Sequence, residues 1–399
     1  MDEHARRGLD EEARQLGGFA RQLAEAAPTL ADAVAEAEAR FRAALARSGD
    51  AFDGESACED HLAALRRLWL ARAGRLAAEA WRAPTEDDIR RLEASGQDAY
   101  GYERDLKPES LEDRASRFFP PPPKGWTVRH LIFSSGQAAM TCALLCVGGE
   151  GPSPLPLAHL GGYFETRALA ESLTGLFALV PDAGRADLLI VEPVACDGEF
   201  EVLDVQALAA HLVRAQRRPR AVLFDTTFLA VDDAIAERIE TLAPAGATCV
   251  LRVASGLKLF EAGFELSNVG VVSLYARGDA DRLGDRLERL RTLTGSSISF
   301  VEEVALSAPW FLDAGATRRH AEAVFAHNAQ LAAAVARANR RFQPVTHPTL
   351  MHPPADAPYC VFRLPTDDLA AYDALEDELA SAACGRRIHF AKGGSFGFR

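Results

Sequence analysis

Lysine is the residue this chain has least of relative to its charge. Of 44 basic residues, forty are arginine and four are lysine: Lys107, Lys124, Lys258 and Lys392. Lys258 stands in Ser255-Gly-Leu-Lys258, directly after the apolar run Ala247-Thr-Cys-Val-Leu-Arg-Val-Ala254. Arginine stays protonated and cannot form a Schiff base, whereas lysine can once its surroundings lower its pKa. Lys258 is therefore either a candidate for covalent capture of an aldehyde or a surface lysine lying along its apolar stem.

Other scarcities narrow the class. The seven cysteines are odd in number, scattered and without CxxC spacing. That argues against a disulfide framework or a zinc site. Cys142 and Cys146 lie one helical turn apart in an apolar stretch, where core packing is their expected role. The ten histidines form no HExxH-type cluster, so no metal is implied. No apolar run approaches membrane-spanning length. The opening Met-Asp-Glu-His-Ala-Arg-Arg has no secretory apolar region, so a cytoplasmic location is expected. A net charge of −13 disfavours nucleic-acid and anionic-membrane partners. The chain has no internal repeat.

Three stretches carry chemistry. In Pro219-Arg-Ala-Val-Leu-Phe-Asp225-Thr-Thr-Phe228, an apolar run leads into an acid, the pattern of a buried parallel strand. Carboxyl ends of such strands line the ligand crevice of an open α/β sheet. Asp225 can serve a ligand there, or cap the helix that follows. His130-Leu-Ile-Phe-Ser-Ser135-Gly136-Gln137 and the apolar run to Val147 read as strand, turn and helix. Free N–H groups and hydroxyls at that helix start can hold a phosphate, or form a plain N-cap. In Leu160-Gly-Gly-Tyr163-Phe-Glu-Thr166 the tyrosine can stack on a ring or sit in the core.

In this order and at these spacings the pieces resemble the Cys/Met-metabolism family of pyridoxal phosphate (PLP) enzymes. Its members are cystathionine γ-synthase, the cystathionine lyases and methionine γ-lyase. The resemblance spans residues 100 to 300. It implies PLP as cofactor and an α/β fold of type I, with a mainly parallel sheet sandwiched by helices. Ser135-Gly136-Gln137 matches the phosphate turn, and Tyr163 the tyrosine that stacks on the cofactor ring. Asp225-Thr-Thr227-Phe matches Asp-Asn-Thr-Phe, so Asp225 would hold the ring nitrogen. Ser255-Gly-Leu-Lys258 matches Ser-x-Thr-Lys, with Ser255 on the phosphate and Lys258 as Schiff-base lysine. Glu192-Pro-Val-Ala-Cys-Asp197 and the later Asp204 resemble a further segment. Tyr102-Glu-Arg104-Asp-Leu-Lys-Pro108 resembles Tyr-x-Arg-x-x-Asn-Pro, whose Tyr and Arg cross to the neighbouring subunit's phosphate. A homodimer or homotetramer is implied, with an amino acid as substrate.

The chain also departs from the family pattern. Leu257 replaces a phosphate-binding threonine. Gly-His-Ser-Asp after the lysine has become Gly263-Phe-Glu-Leu-Ser-Asn268. Either Cys196 or Asp197 replaces the asparagine that contacts the ring's phenolic oxygen. Gly393-Gly-Ser-Phe-Gly397 resembles the turn that precedes the family's substrate-carboxylate arginine. Arg399 is the candidate for that task, with other arginines open.

Three parts are expected: a helical N-terminal extension and crossover arm (1–123), a PLP-binding α/β domain (124–295), and a small C-terminal α+β domain (296–399). The extension shows helical periodicity from Leu62 to Ala83 and either wraps a partner subunit or forms a solvated layer. Phe118-Phe-Pro-Pro-Pro-Pro123 reads as a stiff extended segment. Helical sequence from Arg318 to Asn339 precedes two expected strands, Ala357–Arg363 and Arg387–Ala391. The expected activity is elimination or replacement at the β- or γ-carbon of an amino acid. Lys258 would move the protons, with Tyr163 and the neighbour's Tyr102 assisting. Transamination, carbon–carbon bond formation and a non-catalytic scaffold are the alternatives.

Overall fold

A computed structural model describes residues 3–79, 85–94, 102–149, 154–231, 234–278, 280–338, 341–351, 355–386 and 388. Its centre is a sheet of seven strands. They are β1 (Thr127–Phe133), β2 (Leu155–Leu160), β3 (Phe177–Leu179), β4 (Leu188–Val191), β5 (Ala221–Asp225), β6 (Cys249–Ser255) and β7 (Gly270–Ala276). Their order is β1-β7-β6-β5-β4-β2-β3. β7 runs antiparallel to both of its neighbours, while β6, β5, β4, β2 and β3 pair in parallel. The sheet is mainly parallel, as the apolar runs imply.

Strand residues alternate between two cores, because successive side chains point to opposite faces. Leu188, Ile190, Leu223 and Leu251 pack on one side against Met140 and Leu144 of helix Gly136–Gly148. Leu189, Val191, Val222 and Phe224 pack on the other against Leu208, Leu212 and Ile239. Helices therefore cover both faces. Cys142 and Cys146 are fully buried in the first core.

The N-terminal part folds as three long helices, Glu3–Ala26, Ala31–Arg47 and Ala51–Glu79. The third buries His61, Leu65, Trp69, Ala73 and Ala77, a stripe at every fourth residue. Each large side chain such as Leu65 contributes about 1.5–3 kcal/mol by leaving water. The stripe packs against the chain's own later residues, among them Val304, Trp310 and Phe311. Trp69 Nε1 donates to the Ala305 carbonyl at 2.6 Å. The layer expected from periodicity thus has one apolar face turned onto the rest of the chain.

The C-terminal part holds helices Ala314–Ala338 and Leu369–Gly385. The strand expected over Ala357–Arg363 is reduced to a single bridge between Val361 and Thr346. The facing segment contains Pro344, which has no N–H to continue a ladder. The second expected strand lies outside the described residues, except for Ile388, which belongs to no regular element. The crossover contains a helix, Glu109–Phe118, before the proline run. No helix among the described residues is long and apolar enough to cross a membrane.

Candidate active site

Strands β1, β2, β4, β5 and β6 deliver the chemistry-bearing residues of the sequence to one place. The chain leaves β5 at Asp225, β6 at Ser255, β4 just before Glu192, β2 just before Gly161, and β1 just before Ser134-Ser135. Parallel strands put these exits on one edge of the sheet, where α/β folds bind ligands. A cavity of about 630 Å³ lies there, bordered by Ser135, Gly136, Gln137, Tyr163, Asp225, Thr227, Ser255 and Lys258.

Ser135 caps helix Gly136–Gly148. Its Oγ accepts the Ala138 N–H at 3.0 Å, and its carbonyl accepts the Ala139 N–H at 3.0 Å. The N–H groups of Gly136 and Gln137, first in the helix, have no partner within it. A Cβ at Gly136 would lie 2.9 Å from the Ser255 Cβ and 3.2 Å from its Cα. Only glycine lets the helix start approach the end of β6 this closely.

Asp225 sits deep in the protein yet opens onto the cavity. Burial raises its pKa to about 6, against hydrogen bonds from Thr227 that pull it down. The Thr227 N–H donates to Asp225 Oδ1 at 3.0 Å. Lys258 follows in the short helix Gly256–Leu259. Burial lowers its pKa, while Cys196, Glu265 and Glu165 oppose the shift.

Tyr163 ends the turn after β2. Its hydroxyl donates to Glu165 Oε2 at 2.5 Å, and Gln137 Nε2 donates to the same oxygen at 3.1 Å. Burial and the Glu165 hydrogen bond both raise the phenol's pKa. Glu192 anchors the turn from below. It accepts N–H groups from Gly162 (3.0 Å), Tyr163 (3.0 Å) and Cys196 (2.7 Å), and pairs with His159 Nε2 at 2.8 Å. Burial pushes this carboxyl up, but the His159 and backbone hydrogen bonds together hold it below its usual range.

Of the two residues open as replacements for the family's asparagine, Cys196 borders the cavity and Asp197 does not. Asp197 closes a turn, accepting the N–H groups of Glu199 and Phe200 at 2.8 Å each. Cys196 Sγ accepts from the Tyr359 hydroxyl at 3.5 Å, and burial pushes its thiol up to about 11. Asp204 caps helix Val205–Arg214. Leu257 and Asn268 both border the cavity.

Two expected site residues stand apart from it. Tyr102 is 55% exposed, with the Arg104 guanidinium 5.0 Å from its ring centre, and Arg104 is exposed too. Neither borders the cavity. Arg399 lies outside the described residues. Glu165, His159 and Tyr359 were not singled out from sequence. Glu165 alone had a signal there, being two residues after Tyr163. No cluster among the described residues has the makeup of a metal site.

The architecture matches solved structures. A cystathionine γ-synthase from Xanthomonas oryzae pv. oryzae, solved with cystathionine, superposes with a TM-score of 0.51 at 19% identity. The match covers 74% of this chain and 73% of that one. This chain has the fold of the transsulfuration enzymes. A yeast cystathionine γ-lyase matches at 19% identity over 67% of this chain and 68% of its own, TM-score 0.49. A methionine γ-lyase from Micromonospora echinospora matches at 20% identity over 67% and 70%, TM-score 0.45. No protein-family model and no curated protein matches the chain. Within the transsulfuration fold, the cavity lies at the sheet edge described above, and the three N-terminal helices add a layer beneath it.

Proposed function

We propose that the chain catalyses PLP-dependent elimination or replacement at the β- or γ-carbon of an amino acid. One observation carries this reading. A single cavity gathers an amine with a lowered pKa, a deep carboxylate, a helix start with free N–H groups and an aromatic wall. These groups fit the cofactor's chemistry. The N–H groups of Gly136 and Gln137 with the Ser255 hydroxyl suit a phosphate. Asp225 suits a protonated ring nitrogen. Tyr163 suits a ring face. When bound, PLP supplies an aldehyde for an amine and a ring that takes up the electrons of an α-carbanion.

The chain's own residues do the rest. Lys258 Nζ is the attachment point and the base. Burial favours its neutral form, the form that can take the proton from the substrate α-carbon. For reaction at the γ-carbon, the same Nζ moves a second proton from the β-carbon. Asp225 becomes fully anionic beside a cationic partner, which draws its pKa back down from about 6. Tyr163 Oη keeps its proton, because Glu165 accepts it and burial opposes phenolate. That one O–H would reach a departing group only by turning away from Glu165. Tyr102 and Arg104, exposed and off their own cavity, would serve a second copy of the chain, as the family resemblance implies. The Arg104 guanidinium suits a phosphate by geometry. Arg399 is retained as one candidate for the substrate carboxylate.

The test is an absorption spectrum of the protein with added PLP, for wild type and Lys258→Ala. A band at ~420 nm that borohydride fixes to the chain, and that the variant lacks, is expected. Its absence from wild type overturns the cofactor reading. Incubation with amino acids then separates reactions: elimination releases a 2-oxo acid and a leaving group. Accumulation of the cofactor's amine form instead would assign transamination.

A further inference from the structure

Lys258 rides on a loop whose own structure is slight. Its helix, Gly256–Leu259, has four residues, too few to hold itself. The Gly256 N–H donates to the Val269 carbonyl at 2.8 Å and closes the loop at its base. Between these ends the backbone turns sharply, with Ala262 (φ 50°), Gly263 (φ 84°) and Glu265 (φ 47°) all left-handed. That conformation is natural for Gly263 and strained for the other two. A strained turn persists only where its surroundings impose it.

The N-terminal helices contact it directly. Arg66, from helix Ala51–Glu79, reaches across the chain to the turn. Its Nε donates to the Phe264 carbonyl at 2.8 Å and to the Glu265 carbonyl at 3.1 Å. Its Nη2 donates to the Glu265 carbonyl at 2.8 Å. Phe264 is fully buried, stacked 4.3 Å from Trp310 and edge-on 5.1 Å from Phe19 of the first helix. Inside the loop, the Glu261 carboxylate accepts the Leu266 and Ser267 N–H groups. The same loop presents Leu257, Lys258 and Asn268 to the cavity.

We propose that the N-terminal helical layer is a positioning element for the cavity amine, and that Arg66 is its positioning residue. Arg66 pins the turn from below, and the turn holds Lys258 in its partly dehydrated place. This rests on the reading of Lys258 as the reacting amine. The guanidinium matters for its shape as well as its charge: a lysine ammonium cannot bridge two carbonyls as a rigid fork does.

The chain's few lysines make the test clean. The full-length apoprotein is labelled with an amine-selective reagent across a pH series, and each lysine is read by peptide mapping. Exposed Lys124 serves as a reference within the molecule. Cys196, Glu265 and Glu165 act on Lys258 and are left unchanged. In wild type the Lys258 labelling midpoint lies below that of Lys124. In Arg66→Ala it rises toward Lys124, each unit cutting the free amine at neutral pH about tenfold. Arg66→Lys lies between. A midpoint unchanged in Arg66→Ala, with only a lower melting temperature, overturns the proposal and leaves Arg66 a structural residue. Should Arg66→Ala not fold, Arg66→Lys decides, and a wild-type midpoint there overturns it equally. The labelling needs no cofactor, so its outcome is separate from that of the PLP spectrum.

Discussion

Thr227 Oγ1 accepts the Ser255 backbone N–H at 3.0 Å. One hydroxyl thereby ties the second residue after β5 to the residue that opens the Lys258 turn. The neighbouring Thr227 N–H also serves Asp225. Thr227→Val keeps the shape and removes the acceptor. We expect a loss of about 1 kcal/mol in urea denaturation, the net worth of a part-buried hydrogen bond. Unchanged stability would show that this joint bears no strain. The Asp225 pKa should rise further, since the Thr227 side chain holds it down.

Glu261 gives the fold an unusual pH response. Burial raises its pKa from 4.5 to about 8, against backbone hydrogen bonds from Leu266 and Ser267. An acid whose folded pKa is raised binds its proton more tightly in the folded state. Its contribution is intact below pH 4.5 and is lost as pH climbs toward about 8. The loss is at most ~1.4 kcal/mol per pH unit inside that window. Glu12, raised to about 7, and Asp225, raised to about 6, act in the same direction. Denaturation midpoints measured across this range should fall more steeply in wild type than in Glu261→Gln. Parallel curves would refute the assignment.

Glu165 should govern the proton on Tyr163. Glu165→Gln removes a charge and leaves a weaker acceptor, so the phenol's pKa should fall. Tyrosinate absorbance during an alkaline titration reads this directly, with Tyr163→Phe to assign the signal. An unshifted titration would mean that burial alone sets the phenol.

Gly136→Ala should fill the space between the helix start and Ser255, where the new Cβ meets another at 2.9 Å. Moving the helix start disturbs the proposed phosphate cradle. We expect PLP affinity, followed by fluorescence titration, to drop at least about tenfold, a loss of ~1.4 kcal/mol. Wild-type affinity would place the phosphate elsewhere.

The sheet was legible because β4, β5, β6 and β7 are buried on both faces and so read as continuous apolar runs. Asp225, Ser255 and Lys258 could be placed because each stands at the end of such a run. Glu165 was harder to see, since a helix-start acid is usually solvated and its tie to Gln137 is tertiary. Tyr359 comes from a segment whose expected strand is only a bridge, and nothing local points it toward Cys196. The work of the N-terminal helices was equally hidden. Periodicity shows that Trp69 faces inward, but not that Ala305 is what it faces.

Trp69 and Ala305 stand 236 residues apart in the chain. During synthesis, the apolar stripe of the first helices therefore emerges long before the surface it will cover. Contacts so distant in sequence form late and slow folding. Until then Phe19, Leu65 and Trp69 have only the other residues of these three helices for shelter. Apolar surface that waits in this way is the kind that aggregates or that chaperones cover.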